Sequence, residues 1–522
     1  MTITMVKRCS LALLPLAAGL AAAFPAHAAW DFTPMATARA TYSDNVALRT
    51  EEFAESGAVL QLTPGFQLSN RSQRFDFRLN YALNLFQYSG GRPSGAQRHS
   101  QDLNGTLNSR LVEDLLYLDA TAAIRQQAVS AFGPLQSGND YVSNNRNEVR
   151  SYRVSPYLVH RFGAFANGEL RYSRDSVDTD NIGMRRSDGN TISAQLISGP
   201  TFRRFGWDAR VARSVIEEQL PSGVNRSNEQ TTSSKTANLG LRYAATPQLS
   251  VGAFGGYDGY DFSGLGGDQA GVAYGANLQW TPSARTSLQA SVGHRFYGPS
   301  YSLALQHRSR GTVWNVSYSD AVSSSRSQFV LPQAIDTAAM LDNLFRAQIS
   351  DPVLRAAVVQ AYIQSAGLPP SLATSINFFS NRYSLQKQLS ASVAWQLART
   401  TSMFSVVKSR REMLSSQQVD NSLLGSSLAI LNDNTEQLGV MASASYRPGA
   451  QTVLTLTGNA INVKSLAAKQ TNHHRDVRLS LARTYSQRLS ASLELRHVKG
   501  SAGLAGQHYT ENAVTAVLKS TF

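Results

Sequence analysis

Histidines are the first side chains to test for chemistry, and nine occur among the 522 residues. His294 and His307 fall on neighbouring expected strands, but a metal pair with no carboxylate or third ligand at hand is a poor site. Interfacial or hydrogen-bonded rings are the plainer reading. His473 and His474 are consecutive, and consecutive residues on a strand point to opposite faces, so they cannot chelate one ion together. No serine sits in a nucleophile elbow with a histidine and an acid to serve it, and no paired carboxylates stand in an acid–base setting. The expectation is no enzyme, no cofactor and no resident metal. Asp44-Asn45, after Tyr42, suits either a calcium or sugar ligand pair or a turn. The turn is the plainer reading, because Asp and Asn bond their own backbone in loops.

The charged residues offer a set of cations instead. Arg78, Arg125, Arg153, Arg171, Arg295, Arg308, Arg478, Arg496 and Lys519 fall on the polar faces of their stretches, alongside Asp76, Asp119, Glu169, Asp476 and Glu494. Lining a pore, such a set builds a cross-strand network of ion pairs that stabilises the wall. It also favours anions, as rings of Arg and Lys do. The two roles are compatible.

The elements that would hold these residues are long strands. Ala58, Leu60, Leu62, Pro64, Phe66 and Leu68 alternate with Val59, Gln61, Thr63, Gly65 and Gln67. After a turn, Phe75, Phe77, Leu79, Tyr81, Leu83 and Leu85 alternate with Asp76, Arg78, Asn80, Ala82 and Asn84. A side chain flips face at every strand residue, so each stretch is a ribbon with one apolar and one polar side. Their length exceeds the usual globular strand and suits a tilted membrane crossing. Lys387 and Lys408 break the pattern by falling on apolar sides, and they are expected at the membrane rim, where a charge costs little.

Connections alternate too. Tight turns are expected at Asn70–Gln73, Val112–Asp114, Arg161–Ala164, Arg203–Phe205, Thr246-Pro247, Pro282–Arg285, Ser309–Gly311, Arg399-Thr400, Arg447–Ala450 and near Gln487. Longer polar loops fall between them, at Asp44–Glu55, Ala131–Asn144, Asp178–Asp188, Pro221–Glu229 and Met413–Asp433. Short periplasmic turns with long extracellular loops are the habit of outer-membrane barrels. A further hairpin is placed at Gly298–Ser300. The fold class expected is all-β: a transmembrane antiparallel up-and-down barrel of about 22 strands, range about 18 to 24. The last strand alternates Val514, Ala516, Leu518, Ser520 and Phe522 against Ala513, Thr515, Val517, Lys519 and Thr521, and Phe522 reads as the assembly signal for the barrel-assembly machinery.

One stretch has a different period. Within a long extracellular loop, 321–380, helices are expected at about 336–349 and 351–366. Asp336 would cap the first, with Met340, Leu341, Leu344 and Phe345 on one face. Asp351 would cap the second, with Pro352 at its first position and Leu354, Ala357, Val358, Ala361 and Tyr362 on one face. Gly367 and Pro369-Pro370 would stop it. Two amphipathic helices need an apolar surface, supplied either by the lumen or by packing together over the mouth.

Composition bounds the rest. Lys7 and Arg8, an apolar run from Leu11 to Phe24 and the Ala26-His27-Ala28 site read as a signal peptide over 1–28, with the barrel over 29–522. The single cysteine, Cys9, would leave with it, so no disulfide is expected. Charged residues make up 16% of the chain, against about 25% in ordinary soluble domains. The formal charge of +14 favours anionic partners, such as outer-membrane lipid and lipopolysaccharide phosphates. No basic cluster interleaves with a nucleic-acid-binding module, so no nucleic-acid partner is expected.

Several segments carry a resemblance: Ala40-Thr-Tyr-Ser-Asp-Asn-Val46, Gly293-His-Arg-Phe-Tyr-Gly298, Tyr301 to Arg310, Trp314-Asn-Val-Ser-Tyr318, and the helical stretch with Asp351-Pro352 and Gly367-Leu-Pro369. Through them the chain resembles the outer-membrane barrels associated with PEP-CTERM/exosortase and exopolysaccharide loci, within the β-barrel porin group. The resemblance implies a link to exopolysaccharide and its export components, and no reaction. Three functions are consistent with the sequence: a channel or anchor for exopolysaccharide gated or plugged by the helical loop, a diffusion porin for small anionic solutes, and a non-conducting barrel that displays loops. A siderophore-type transporter would need a folded plug of well over a hundred residues before the first strand, expected to begin near Trp30, so that rival is set aside.

Overall fold

A computed structural model describes residues 30–89, 97–135, 145–179, 186–219, 230–262, 267–330, 337–346, 382–414, 429–503 and 506–522, with 349, 355, 358, 359, 362, 363 and 380. The expected signal peptide lies outside the described residues.

The chain forms a closed 22-stranded antiparallel barrel. Its first strands are β1 (Asp31–Ser43), β2 (Gly57–Arg71), β3 (Phe75–Tyr88), β4 (His99–Val112), β5 (Leu116–Ala128), β6 (Arg146–Phe162) and β7 (Ala166–Thr179). Next come β8 (Arg186–Ser198), β9 (Phe205–Gln219), β10 (Gln230–Thr246), β11 (Leu249–Phe262), β12 (Gly267–Ser283), β13 (Thr286–Arg295) and β14 (Gly298–Arg308). Then follow β15 (Thr312–Ser324), β16 (Tyr383–Gln396), β17 (Thr400–Met413), β18 (Thr435–Gly449), β19 (Thr452–Ser465), β20 (Thr471–Thr484), β21 (Leu489–Ala502) and β22 (Gln507–Thr521). Each strand pairs with its sequence neighbours, and β1 closes the ring on β22 from Met35↔Thr521 to Ser43↔Ala513. Closure removes the unpaired edges an open sheet would leave.

All the expected tight turns join strands at one end of the barrel, where β1 begins and β22 ends. The structure moves three expected boundaries. The hairpin placed at Gly298–Ser300 turns instead at Phe296-Tyr297, because Gly298 already pairs with Arg295. The Asp178–Asp188 loop shrinks, since strand pairing continues to Thr179 and resumes at Arg186. The long loop starts later than Ala321, because β15 pairs with β16 out to Ser324↔Tyr383.

The exterior is apolar where a soluble protein's would be polar. Leu60, Leu62, Leu239, Leu241, Leu456, Leu493 and Leu495 are about half exposed, in ranks around the wall. Surface like this needs a lipid solvent. Aromatic side chains mark both ends: Trp30, Phe32, Phe165, Phe205, Trp280, Tyr446 and Phe522 near the short turns, and Tyr42, Tyr257, Tyr274 and Tyr301 toward the long loops. Such girdles sit at the two interfaces of a spanning barrel. Among the described residues no helix is long and apolar enough to cross a membrane.

Candidate functional site: the lumen and its helical plug

The inner wall is largely polar, with several apolar patches, one of which lies at the short-turn half. Val313, Ala394, Met403 and Val407, on β15, β16 and β17, face inward and are almost wholly buried. Three of them stand within a few residues of the short turns. What covers them is the long loop. Its helix α2 (Thr337–Phe345) packs Met340, Leu341, Leu344 and Phe345 onto this patch, together with Val359 and Tyr362. The spacing that made the helix amphipathic in the sequence thus finds its apolar partner inside the barrel. Of the two positions open to the loop, it takes the lumen, and it reaches the short-turn half.

Polar ties fix this packing. Arg355 donates to Asp342 at 2.7 Å and to the Ile349 carbonyl at 2.8 Å, joining α2 to the segment after it. The Arg447 guanidinium, at the short-turn end of β18, lies 4.9 Å from the Tyr362 ring. Arg355, Val358, Val359, Tyr362 and Ile363 are helical, as the sequence predicts. The cap residues Asp336, Asp351 and Pro352, the face residues Leu354, Ala357 and Ala361, and the stop at Gly367 and Pro369-Pro370 lie outside the described residues.

The loop also contains an element that the sequence reading missed, helix α1 (Ser325–Val330). It runs from β15 to β6 and β7. Arg326 is buried against Asp175, to which it donates both at the carboxylate and at the carbonyl. Phe329 packs on Val149 and Val177. Gln328 accepts from Arg411 at 2.8 Å and donates to Gln386 at 2.6 Å. A second crossing comes from the β5–β6 connection. Ala131 and Phe132 pack with Leu431, Ile461 and Val463, and Asn432 donates to Ser130 at 2.9 Å. Loops from distant parts of the ring therefore meet over the mouth.

Most of the expected lumen cations are held in pairs. Arg78 faces Asp76 at 3.1 Å, Arg295 faces Asp258 at 2.7 Å, and Arg153 lies 4.0 Å from Asp175. Arg171 bonds Asp119 and Glu169, each at 2.9 Å, and lies 3.8 Å over the Tyr157 ring. Arg478 and Arg496 are direct cross-strand neighbours, matched by Glu494 at 3.6 Å and Glu511 at 3.1 Å. Arg125 lies within Coulombic reach of Asp102. Arg308 stands beside the Ser309–Gly311 turn and makes no ion pair with a described residue. Six of these eight arginines thus face a carboxylate within 4.0 Å. The partly solvated pairs among these contribute roughly 0.2–1 kcal/mol each to the wall, while Arg496 and Glu511 form a buried pair.

A different chemistry lines the wall beside the plug. A cavity of about 460 Å³ lies between α2 and β13–β16, lined by Ser287, Gln306, Asn315, Ser317, Ser390 and Asn343 among others, without a charged side chain. The lumen therefore has a charged sector and a neutral hydroxyl-and-amide sector.

The remaining candidates resolve into structural roles. His294 pairs with Pro299 and His307 with Thr286, so they occupy opposite ends of one hairpin and do not meet. His474 points inward to Asp476 at 3.3 Å and Tyr509 at 3.1 Å, while His473 bonds Asn462. Asn45 bonds its own loop at Arg49 and reaches the Thr510 carbonyl, the work of a turn. Lys387 and Lys408 sit toward the long-loop ends of their strands, paired with Glu412 at 3.2 Å and Glu436 at 2.8 Å. Lys519 projects inward near the chain end. Among the described residues no cluster of three metal-ligating side chains occurs.

The sequence matches no family model. It matches no curated protein either. Solved structures with a similar fold include the ferric enterobactin receptor PfeA of Pseudomonas aeruginosa, at 11% identity over 94% of this chain and 80% of that one, with a TM-score of 0.47. The siderophore receptor PirA of the same species gives 10% identity over 94% and 80%, with 0.46. The FrpB iron transporter of Neisseria meningitidis gives 8% over 94% and 82%, with 0.49. Likeness this low says nothing about substrate.

Proposed function

We propose that the chain is an outer-membrane barrel associated with exopolysaccharide production or export, a channel or anchor closed at rest by its own helical loop. The observation that carries this reading is the seating of α2 on the inward patch of Val313, Ala394, Met403 and Val407. A barrel of this width is too large for wall side chains to fill, so what occupies the lumen decides whether anything passes. Buried apolar contact of this kind makes a closed resting state.

The neutral sector beside α2 supports a glycan over a small anion as the passenger. Hydroxyls and amides match sugar hydroxyls donor for acceptor, and uncharged walls bind weakly enough to release. Pairing of the lumen arginines argues the same way, because a matched guanidinium offers little field to an anion. Assembly would proceed through the barrel-assembly machinery acting on the final strand and Phe522. The link to exopolysaccharide itself rests on the resemblance of the segments around Asp44, His294 and Trp314 to barrels of exopolysaccharide loci.

Planar-bilayer recording tests the proposal. The full chain is expected to be silent and a variant lacking 337–363 to conduct, with neutral oligosaccharide added to one side reducing the current. A full chain that conducts steadily and ignores oligosaccharide would make it a porin for small solutes. Silence from both forms would leave a non-conducting scaffold and sink the channel.

A further inference from the structure

The exterior carries a feature that lumen transport does not use. On β20 and β21, Arg475 and Lys499 stand directly opposite each other in register. Both are exposed on the outward face, and neither has a carboxylate in ion-pair range among the described residues. Like charges directly opposite on a sheet destabilise it unless an anion lies between them.

They belong to a wider arc. Toward the long-loop end, Asp320, Lys387, Arg410, Glu436 and Lys464 are consecutive cross-strand partners over β15 to β19. This rank is about 19 Å wide at ordinary strand spacing. Glu412 bridges Lys387 and Arg410, and Glu436 pairs with Lys408. The Asp320 carboxylate is already engaged by Ser300 and the Tyr301 N–H. Cations therefore outnumber carboxylates along the arc. Immediately toward the short turns, the same outward faces carry Phe404, Leu438, Leu456, Leu479 and Leu495, all exposed. A ligand on this arc meets positive charge at the rim and hydrocarbon below it.

We infer that this arc is a binding site for the phosphorylated headgroup of an outer-leaflet glycolipid of the lipid A type. Its phosphates would lie against Arg475–Lys499 and the Arg410–Lys464 rank, with the acyl chains on the leucine belt. The inference rests on the barrel spanning an outer membrane and is independent of what the lumen carries. Its strands β15 to β17 are those whose inner faces seat α2.

The probe is bisphosphorylated lipid A, with the dephosphorylated lipid as comparison, titrated onto the full barrel in detergent and read by native mass spectrometry. The barrel is expected to prefer the phosphorylated form. An Arg475→Gln/Lys499→Gln variant is expected to lose that preference by about fivefold for each cation removed. A second variant, Lys408→Gln/Arg410→Gln/Lys464→Gln, is expected to lose it further. Arg174→Gln, which removes an exposed outward cation elsewhere on the ring that faces Val154 and Asn190 rather than another cation, is expected to change nothing. Heat-induced gel shifts on the same samples confirm that each barrel is folded, and the first pair keeps the test open should the triple variant fail to fold. Equal binding of both lipids, or unchanged binding in both arc variants, overturns the site while leaving bilayer currents unaffected.

Discussion

Asn512 donates its backbone N–H to one carboxylate oxygen of Asp44 and its side-chain amide to the other, each at 2.7 Å. The Asp44 N–H donates back to the Asn512 carbonyl at 3.1 Å. These bonds continue the β1–β22 ladder one step past its last strand pair, at the long-loop end of the joint that closes the ring. Just inside it, Ser43 donates to the buried Glu511 at 2.7 Å, and Thr41 and Thr515 share a 2.9 Å bond.

Asn512→Ala should therefore weaken closure. The pair is exposed, so the expected loss is about 1 kcal/mol. The check is the temperature at which the folded barrel loses its compact gel mobility. A midpoint equal to that of the unaltered chain would mean the clasp contributes nothing.

Leu341, on the seated face of α2, is wholly buried. Leu341→Ala should cost about 2–5 kcal/mol of plug docking, and Leu341→Asp more, since it places a charge in an apolar contact. Single-channel recording should show intermittent openings in the first variant and sustained ones in the second. The barrel's own heat resistance should change little, because the wall pairing is untouched.

Asp175→Ala leaves the Arg326 guanidinium buried without its carboxylate, a change that typically costs about 3–5 kcal/mol. Gly189 lies opposite Asp175 in register, and a Cβ there would meet Arg326. Gly189→Val should therefore also displace α1. Hydrogen exchange over residues 325–330 should accelerate in both variants, and unchanged protection would show that α1 is held by Phe329 and Gln328 alone.

Phe522 extends the ladder by donating its N–H to the Pro34 carbonyl at 2.9 Å, with its ring largely exposed at the short-turn end. Removing it should block insertion in cells while leaving the pairing of purified, refolded chain nearly intact. Normal insertion of the truncated chain would deny Phe522 its role as assembly signal.

Much of the frame was legible in the sequence because a dyad period and turn residues are local signals. Every tight turn named from the sequence joins two strands, and Phe75 to Leu85 keep one face throughout. The Phe296-Tyr297 turn was displaced because Gly298 invited a turn that its pairing with Arg295 overrides. Helix α1 was missed because six residues are too few to show a period. The seat of α2 was harder still. Val313, Ala394, Met403 and Val407 are inward by alternation, yet alternation does not say that three strands bring them to one patch. The partner of Arg171 raises the same problem: Asp119 lies two strands away, and only the stagger of the barrel brings the two together.

The loop that carries α2 is anchored at both ends on the long-loop rim, at Ser324 and Tyr383, while its apolar seat lies near the opposite opening. Under the proposed gating, α2 leaves its seat toward the long-loop rim, where both ends of its loop join the wall.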